Sequence, residues 1–170
     1  MNTNSKIGII AAMDSEIEYL VNRLENKVET KISGYAFHSG MLCGKQVVIL
    51  KSGIGKVNAA RGTQLLIDRF SPDVILNTGI AGATSPDLHV GDAVIASGLV
   101  QHDFDVTAFG YAPGYLCTGA DQDKPTVFLP DNNLSGTLSK AAGQILERAK
   151  VREGICLAVR DRGSPSPEPC

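Results

Sequence analysis

Residues Ile7-Gly-Ile-Ile-Ala-Ala-Met-Asp-Ser-Glu16 constrain this chain more than any other stretch. A short apolar run ends in small Ala11 and Ala12, then meets acidic residues suited to a helix start. The pattern predicts a buried strand over 7–12. A helix follows from Asp14 or Ser15 to Leu24, with Ile17, Leu20, Val21 and Leu24 on one face. In open α/β sheets the ligand crevice lies at the carboxyl ends of the strands. Glu16, one turn into the helix, is therefore placed where a general base works. A Glu in the first helical turn is also favoured by the helix dipole without any chemistry, so position alone leaves both readings open.

Downstream, residues 28–32, 35–43 and 46–51 read as strands, with Gly34 and Gly44-Lys45 as hairpin turns. Gly53-Ile-Gly55 reads as a loop. Val57 to Phe70 reads as a helix with Ala59, Ala60, Leu65, Leu66 and Ile67 inward. A strand over 74–76 runs into Asn77-Thr-Gly-Ile-Ala-Gly82, a loop that exposes backbone. Residues 90–96 and 99–104 read as two further extended segments, 109–130 as a long excursion, 134–150 as a helix and 155–159 as a last strand. Strands alternating with helices predict an α/β fold, a mostly parallel sheet with helices on both faces. From Asp161 to Cys170, three of the chain's eight prolines fall within ten residues. No apolar period is present there, which excludes the interior of a strand or helix.

A chain of 170 residues is long enough for one domain with a sizeable core. Its net charge of −2, with Lys and Arg scattered, argues against a nucleic-acid partner. No apolar run approaches the roughly 20 residues of a membrane helix, and the polar Met1–Lys6 stretch does not resemble a signal peptide. The four cysteines, Cys43, Cys117, Cys156 and Cys170, lack metal-type spacing. They read as reduced thiols in a cytoplasm.

Two motifs invite chemistry. Gly53-Ile-Gly-Lys-Val-Asn58 lacks the third glycine of a dinucleotide fingerprint and the Ser or Thr that follows the lysine of a P-loop. It reads as a tight strand-to-helix turn with Ile54 placed to line a small-molecule pocket. His102-Asp-Phe-Asp105 looks metal-like, yet one His and two Asp at a strand end fit solvated polarity more simply; no metal and no cofactor is expected. No nucleophile elbow or His-Glu-x-x-His pair occurs. His38 and His89 read as surface or core-edge residues.

Taken in order, Ile7–Glu16, Lys51-Ser-Gly-Ile-Gly-Lys-Val57, Pro72-Asp-Val-Ile-Leu-Asn-Thr-Gly79, Ala81-Gly82, Val90-Gly-Asp92 and Asp105-Val-Thr-Ala-Phe-Gly-Tyr111 resemble 5′-methylthioadenosine/S-adenosylhomocysteine nucleosidases. These belong to the purine nucleoside phosphorylase superfamily. The resemblance implies an α/β fold with a central mixed sheet flanked by helices. It implies hydrolysis of the N-glycosidic bond of either nucleoside, releasing adenine and a thioribose, in methionine salvage. Glu16 is then the catalytic base. Gly82 is a backbone contact to the ligand, Met13, Ile54 and Val106 line the alkylthio end, and Phe109 reaches the neighbouring subunit of a homodimer. An apolar sleeve suits a thioether, which gains from burial and offers little hydrogen bonding. A carboxylate beside the anomeric carbon suits a water nucleophile and repels phosphate, which sets the hydrolase above the alternative, a nucleoside phosphorylase.

Two departures stand out. Ile80 lies near the ribose and water positions, where many relatives have serine, and Cys117 stands where a proline is frequent. The expected partial domain spans 1–155. Residues 156–170 match nothing in the family and read as a disordered tail in a shifted frame. The family's Met-Glu pair and late Ser-Asp are not found in this sequence. The resulting expectation is a chain truncated at its C-terminus with little activity, and a further alternative is an inactive remnant that binds ligand or a partner subunit.

Overall fold

The computed structural model describes residues 5–117, 121–146 and 151–157. The chain divides into two compact units, Met1–Gly82 and Ala83–Cys170. The first holds a five-stranded sheet in the order β2-β3-β4-β1-β5. Its strands are β1 (Lys6–Ala11), β2 (Glu25–Ile32), β3 (Tyr35–Leu42), β4 (Lys45–Lys51) and β5 (Val74–Asn77). Helices α1 (Asp14–Val21) and α2 (Lys56–Phe70) complete the unit.

The alternation of side chains along a strand divides the core in two. Ile9, Ala11, Val47 and Ile49 share one face with Ile17 of α1 and Leu24. Ile10, Val48 and Leu50 share the other with Phe37, Tyr35 and Leu66 of α2. One helix therefore covers each face. Phe37, Ile49, Leu50 and Leu66 are sealed completely from solvent, and each such side chain contributes about 1.5–3 kcal/mol through burial.

The sheet is mixed rather than mostly parallel. β1 runs parallel to both β4 and β5, whereas β2–β3 and β3–β4 are antiparallel. The cause is local: two-residue turns join these three strands, and such turns allow only antiparallel pairing. The turns are Ser33-Gly34 (φ 50° and 87°) and Cys43-Gly44 (φ 49° and 71°). Positive φ at both central residues is the type I′ arrangement that matches strand twist. The second turn sits one residue earlier than Gly44-Lys45, and Lys45 already belongs to β4.

Other boundaries also move. α1 ends at Val21, so Leu24 enters the core from beyond the helix. On α2 the buried positions are Gly62 and Leu66. Ala60 is exposed and Ile67 is 43% exposed, so neither lies on the inward face.

The second unit holds a three-stranded sheet in the order β7-β6-β8. Its strands are β6 (Ala93–Val100), β7 (Val127–Phe128) and β8 (Val151–Leu157), with helix α3 (Asn132–Ile145). Residues 90–96 and 99–104 do not form separate segments: β6 is continuous through Gly98, where its register to β8 shifts. α3 begins at Asn132 because Asp131 caps it, accepting the Leu134 N–H at 2.9 Å. The last strand begins at Val151, four residues before the position read from sequence. Cys156 and Leu157, read from sequence as the start of a disordered tail, belong to β8, where they pair with Leu99 and Val100 of β6, and 158–170 lie outside the described residues. Among the described residues no helix is long and apolar enough to cross a membrane.

Candidate functional site

Within the first unit, three parallel strands finish at one level. Ala11 at the end of β1 lies opposite Lys51 at the end of β4, and Ile10 lies opposite Asn77 at the end of β5. The backbone continues to tie them together beyond the sheet. Ser52 N–H donates to Ala11 O at 2.8 Å, and Thr78 N–H donates to Ile10 O at 3.0 Å. The buried Ser52 hydroxyl has two carbonyl acceptors for its one hydrogen, Gly53 O at 2.9 Å and Ala11 O at 3.2 Å. The three loops that leave this edge carry Met13, Ile54 and Ile80.

Glu16 sits at the third position of α1, half-buried. Its Oε2 accepts N–H bonds from Ala12 and Met13, each at 2.9 Å. The Met13 bond is the half of a capping box in which the side chain reaches back to the residue before the helix. The third bond has another origin: Ile80 N–H, 64 residues away in sequence, donates to Oε1 at 2.9 Å. A carboxylate has about four lone-pair sites, two on each oxygen. Among the described residues, Oε2 accepts two N–H bonds and Oε1 one, so three N–H groups hold the carboxylate in one orientation.

The surroundings hold the loop before α1. Lys51 Nζ forms a 2.8 Å ion pair with Asp14, the first residue of α1. Gly53 (φ 81°) and Gly55 (φ 101°) flank Ile54 in left-handed backbone, and Gly55 caps α2. This is a tight strand-to-helix turn that other residues would strain.

Of the site residues expected from sequence, the structure joins Glu16, Met13 and Ile80 through hydrogen bonds. Ile80 contributes its backbone, and its side chain is 78% exposed. The bond to Glu16 comes from the backbone N–H and does not depend on the identity of the side chain. Ile54 is 66% exposed on the turn after β4. Gly82 is exposed, and no chain atom lies within 4 Å of the place a Cβ would occupy.

Val106 and Phe109 belong to the second unit. Val106 is half-buried and precedes a 3₁₀ turn, Thr107–Phe109, and Phe109 is 79% exposed. Asp105 builds that turn by accepting Thr107 N–H at 2.9 Å and Thr107 Oγ1–H at 2.7 Å. These bonds, the backbone one foremost, hold the Asp105 carboxyl below its ordinary range. Asp105 is thereby occupied as a turn former. His102 and His89 are exposed, whereas the side chain of His38 on β3 is largely covered. Among the described residues, no three His, Cys, Asp or Glu side chains gather as metal ligands do.

Two participants escaped sequence reasoning. The Ala12 N–H carries no side-chain signal. Gly79 does: a Cβ built on it would stand 2.5 Å from Glu16 Oε1 and 3.0 Å from Cδ.

Comparison with known proteins adds to this geometry. The family model of the phosphorylase superfamily matches residues 6–164. A 5′-methylthioadenosine/S-adenosylhomocysteine nucleosidase of Shewanella piezotolerans is 44% identical over 151 residues, covering 89% of this chain and 64% of that protein. One of Anoxybacillus flavithermus is 55% identical over 149 residues, covering 88% and 62%. Among solved structures, the Colwellia psychrerythraea nucleosidase in complex with adenine superposes with a TM-score of 0.83 at 42% identity, covering 91% of this chain and 62% of that one. The Neisseria meningitidis enzyme with methylthio-immucillin-A gives 0.81 at 38% identity, covering 90% and 64%. The chain therefore spans less than two thirds of the length of these relatives.

Proposed function

The chain belongs to the phosphorylase superfamily, and from that premise we propose that it hydrolyses the N-glycosidic bond of 5′-methylthioadenosine and S-adenosylhomocysteine, with Glu16 as the base. The observation that carries this reading is the Ile80 N–H bond to Oε1. Helix capping accounts for the Ala12 and Met13 bonds but has no need of a donor 64 residues away. That third bond orients the carboxylate at the strand ends, where α/β sheets bind ligands.

The chemistry follows from the acceptor count. Oε1, which accepts one N–H bond where Oε2 accepts two, takes a hydrogen bond from a water molecule. As the bond between the anomeric carbon and the adenine nitrogen lengthens, positive charge grows on the ribosyl ring and the nearby carboxylate stabilises it. The water oxygen attacks the anomeric carbon, its proton passes to Oε1, and adenine departs with the bonding electron pair and takes up a proton from solvent water. General-base assistance of this kind contributes about 10²–10⁴ in rate.

Met13, Ile54 and Val106 are proposed to line the alkylthio end of the substrate, Gly82 to present backbone to it, and Phe109 to cross to the second subunit of a homodimer. Ile54 and Phe109 are both exposed on their turns, which leaves their side chains open to contact. The setting is proposed to be cytoplasmic.

Adenine release from methylthioadenosine, followed with and without phosphate, tests the activity. Phosphate-independent release that disappears in Glu16→Gln supports hydrolysis. Release that requires phosphate replaces it with a phosphorylase, and no release from the folded chain overturns it.

A further inference from the structure

We infer that Gly79 is a positioning residue for the reaction, its missing side chain being what lets Glu16 Oε1 lie against the Ile80 amide. The inference rests on the reading of Glu16 as the base. Its own support is geometric.

Glycine is demanded at most sharp turns by left-handed backbone, as at Gly53 and Gly55. Gly79 is different. It is not among the residues with positive φ, so its backbone is open to any L-residue. It lies on an exposed loop rather than in the core, so packing does not require it either. The three nearest atoms a Cβ would meet belong to one side chain: Glu16 Oε1 at 2.5 Å, Cδ at 3.0 Å and Oε2 at 3.4 Å. The closest is the oxygen that accepts the Ile80 N–H. Real Cβ atoms do not approach an oxygen so closely, so an added methyl has to displace the carboxylate.

The displacement has a defined direction. The backbone N–H groups of Ala12 and Met13 belong to the same short segment as Glu16 and hold Oε2. The bond across 64 residues is the one that yields. Gly79→Ala therefore swings Oε1 away from Ile80, loosening the base while leaving the fold and the helix cap in place. Gly82, three residues on, provides the contrast: nothing lies within 4 Å of its Cβ position.

Two readouts on the purified chain test this. In amide hydrogen exchange by NMR, Gly79→Ala is expected to speed exchange of Ile80 N–H at least tenfold, as Glu16→Ala does, with the Met13 amide little changed. In the adenine-release assay kcat is expected to fall at least tenfold, with KM for methylthioadenosine within threefold of the parent. The double variant Gly79→Ala with Glu16→Asp withdraws the carboxylate by one methylene and makes room. Its losses are expected to be smaller than the product of the two single losses.

Unchanged exchange at Ile80 in Gly79→Ala overturns the inference, as does a double variant whose losses multiply. If Gly79→Ala does not fold, recovery of folding in the double variant supports the contact and its absence overturns it. A parent chain that releases no adenine defeats the nucleosidase reading alone, because the exchange experiment still decides the role of Gly79.

Discussion

Ile80 N–H lies 2.9 Å from Glu16 Oε1, joining the exit of β5 to the first turn of α1. A substitution that keeps the side-chain shape separates chemistry from folding at this point. Glu16→Gln retains one oxygen, which still accepts from Ala12 and Met13, and leaves the exposed Ile80 amide to water. Stability is expected to fall by only about 1 kcal/mol, while adenine release falls by about 10²–10⁴. Urea unfolding beside initial rates checks the split.

Two glycines on helices are expected to respond to alanine with opposite sign. Helix propensity alone favours Ala over Gly by about 0.8–1.0 kcal/mol. At Gly62 on α2 the new Cβ would stand 2.9 Å from Leu50 Cδ2, and Leu50 is sealed in the core. Overpacking of this kind costs about 1–3 kcal/mol, so Gly62→Ala destabilises. Gly136 on α3 has no atom within 4 Å of its Cβ position, and Gly136→Ala stabilises by about 0.4–1 kcal/mol. Thermal unfolding of both variants measures the contrast.

The Lys51–Asp14 pair is short, at 2.8 Å, yet both side chains are exposed. Exposed pairs contribute about 0–1 kcal/mol and are screened by salt. Lys51→Met is therefore expected to lower stability by less than about 1 kcal/mol at low salt, with the difference vanishing in 1 M NaCl. Unfolding at the two ionic strengths tests it.

Asp105 predicts an acid response in the 3₁₀ turn. Its carboxyl titrates below the ordinary range because Thr107 donates to the ionised form. A depressed native value means that the stabilisation is complete above the unfolded value of about 3.9 and is lost as pH falls through the lower native value. NMR titration of Asp105 is expected to give a midpoint below 3.9, and Thr107→Val to raise it.

Much of the first unit was legible because its signals are local. The Ile7–Ile10 run, the glycines at 34 and 44, and the period of α2 each specify structure within a few residues. The mixed sheet was not legible in the strand–helix alternation, because the two-residue turns Ser33-Gly34 and Cys43-Gly44 override it locally. The continuous β6 was missed because Ser97 and Gly98 interrupt its apolar pattern, although Gly98 is buried beneath Val127. The position of the Glu16 carboxylate just beyond a strand end was legible. The donor that orients it was not, because a backbone N–H has no residue identity and lies 64 positions away. Gly79 carried a signal of a subtler kind, a glycine whose conformation does not call for one.

The order of strands in the first sheet has a consequence for how the chain acquires its site. β2, β3 and β4 pair directly across two-residue turns, Ile32 with Tyr35 and Leu42 with Lys45, so their contacts close short loops. β5 pairs with β1 only after the chain has passed through α2. Contacts that close long loops carry a larger entropy cost and form slowly. The meander is therefore expected to consolidate first, with Glu16 already folded back on its own helix start but facing no fixed partner. Docking of β5 brings the Ile80 amide to Glu16, and this contact is expected to be the last of the unit to form.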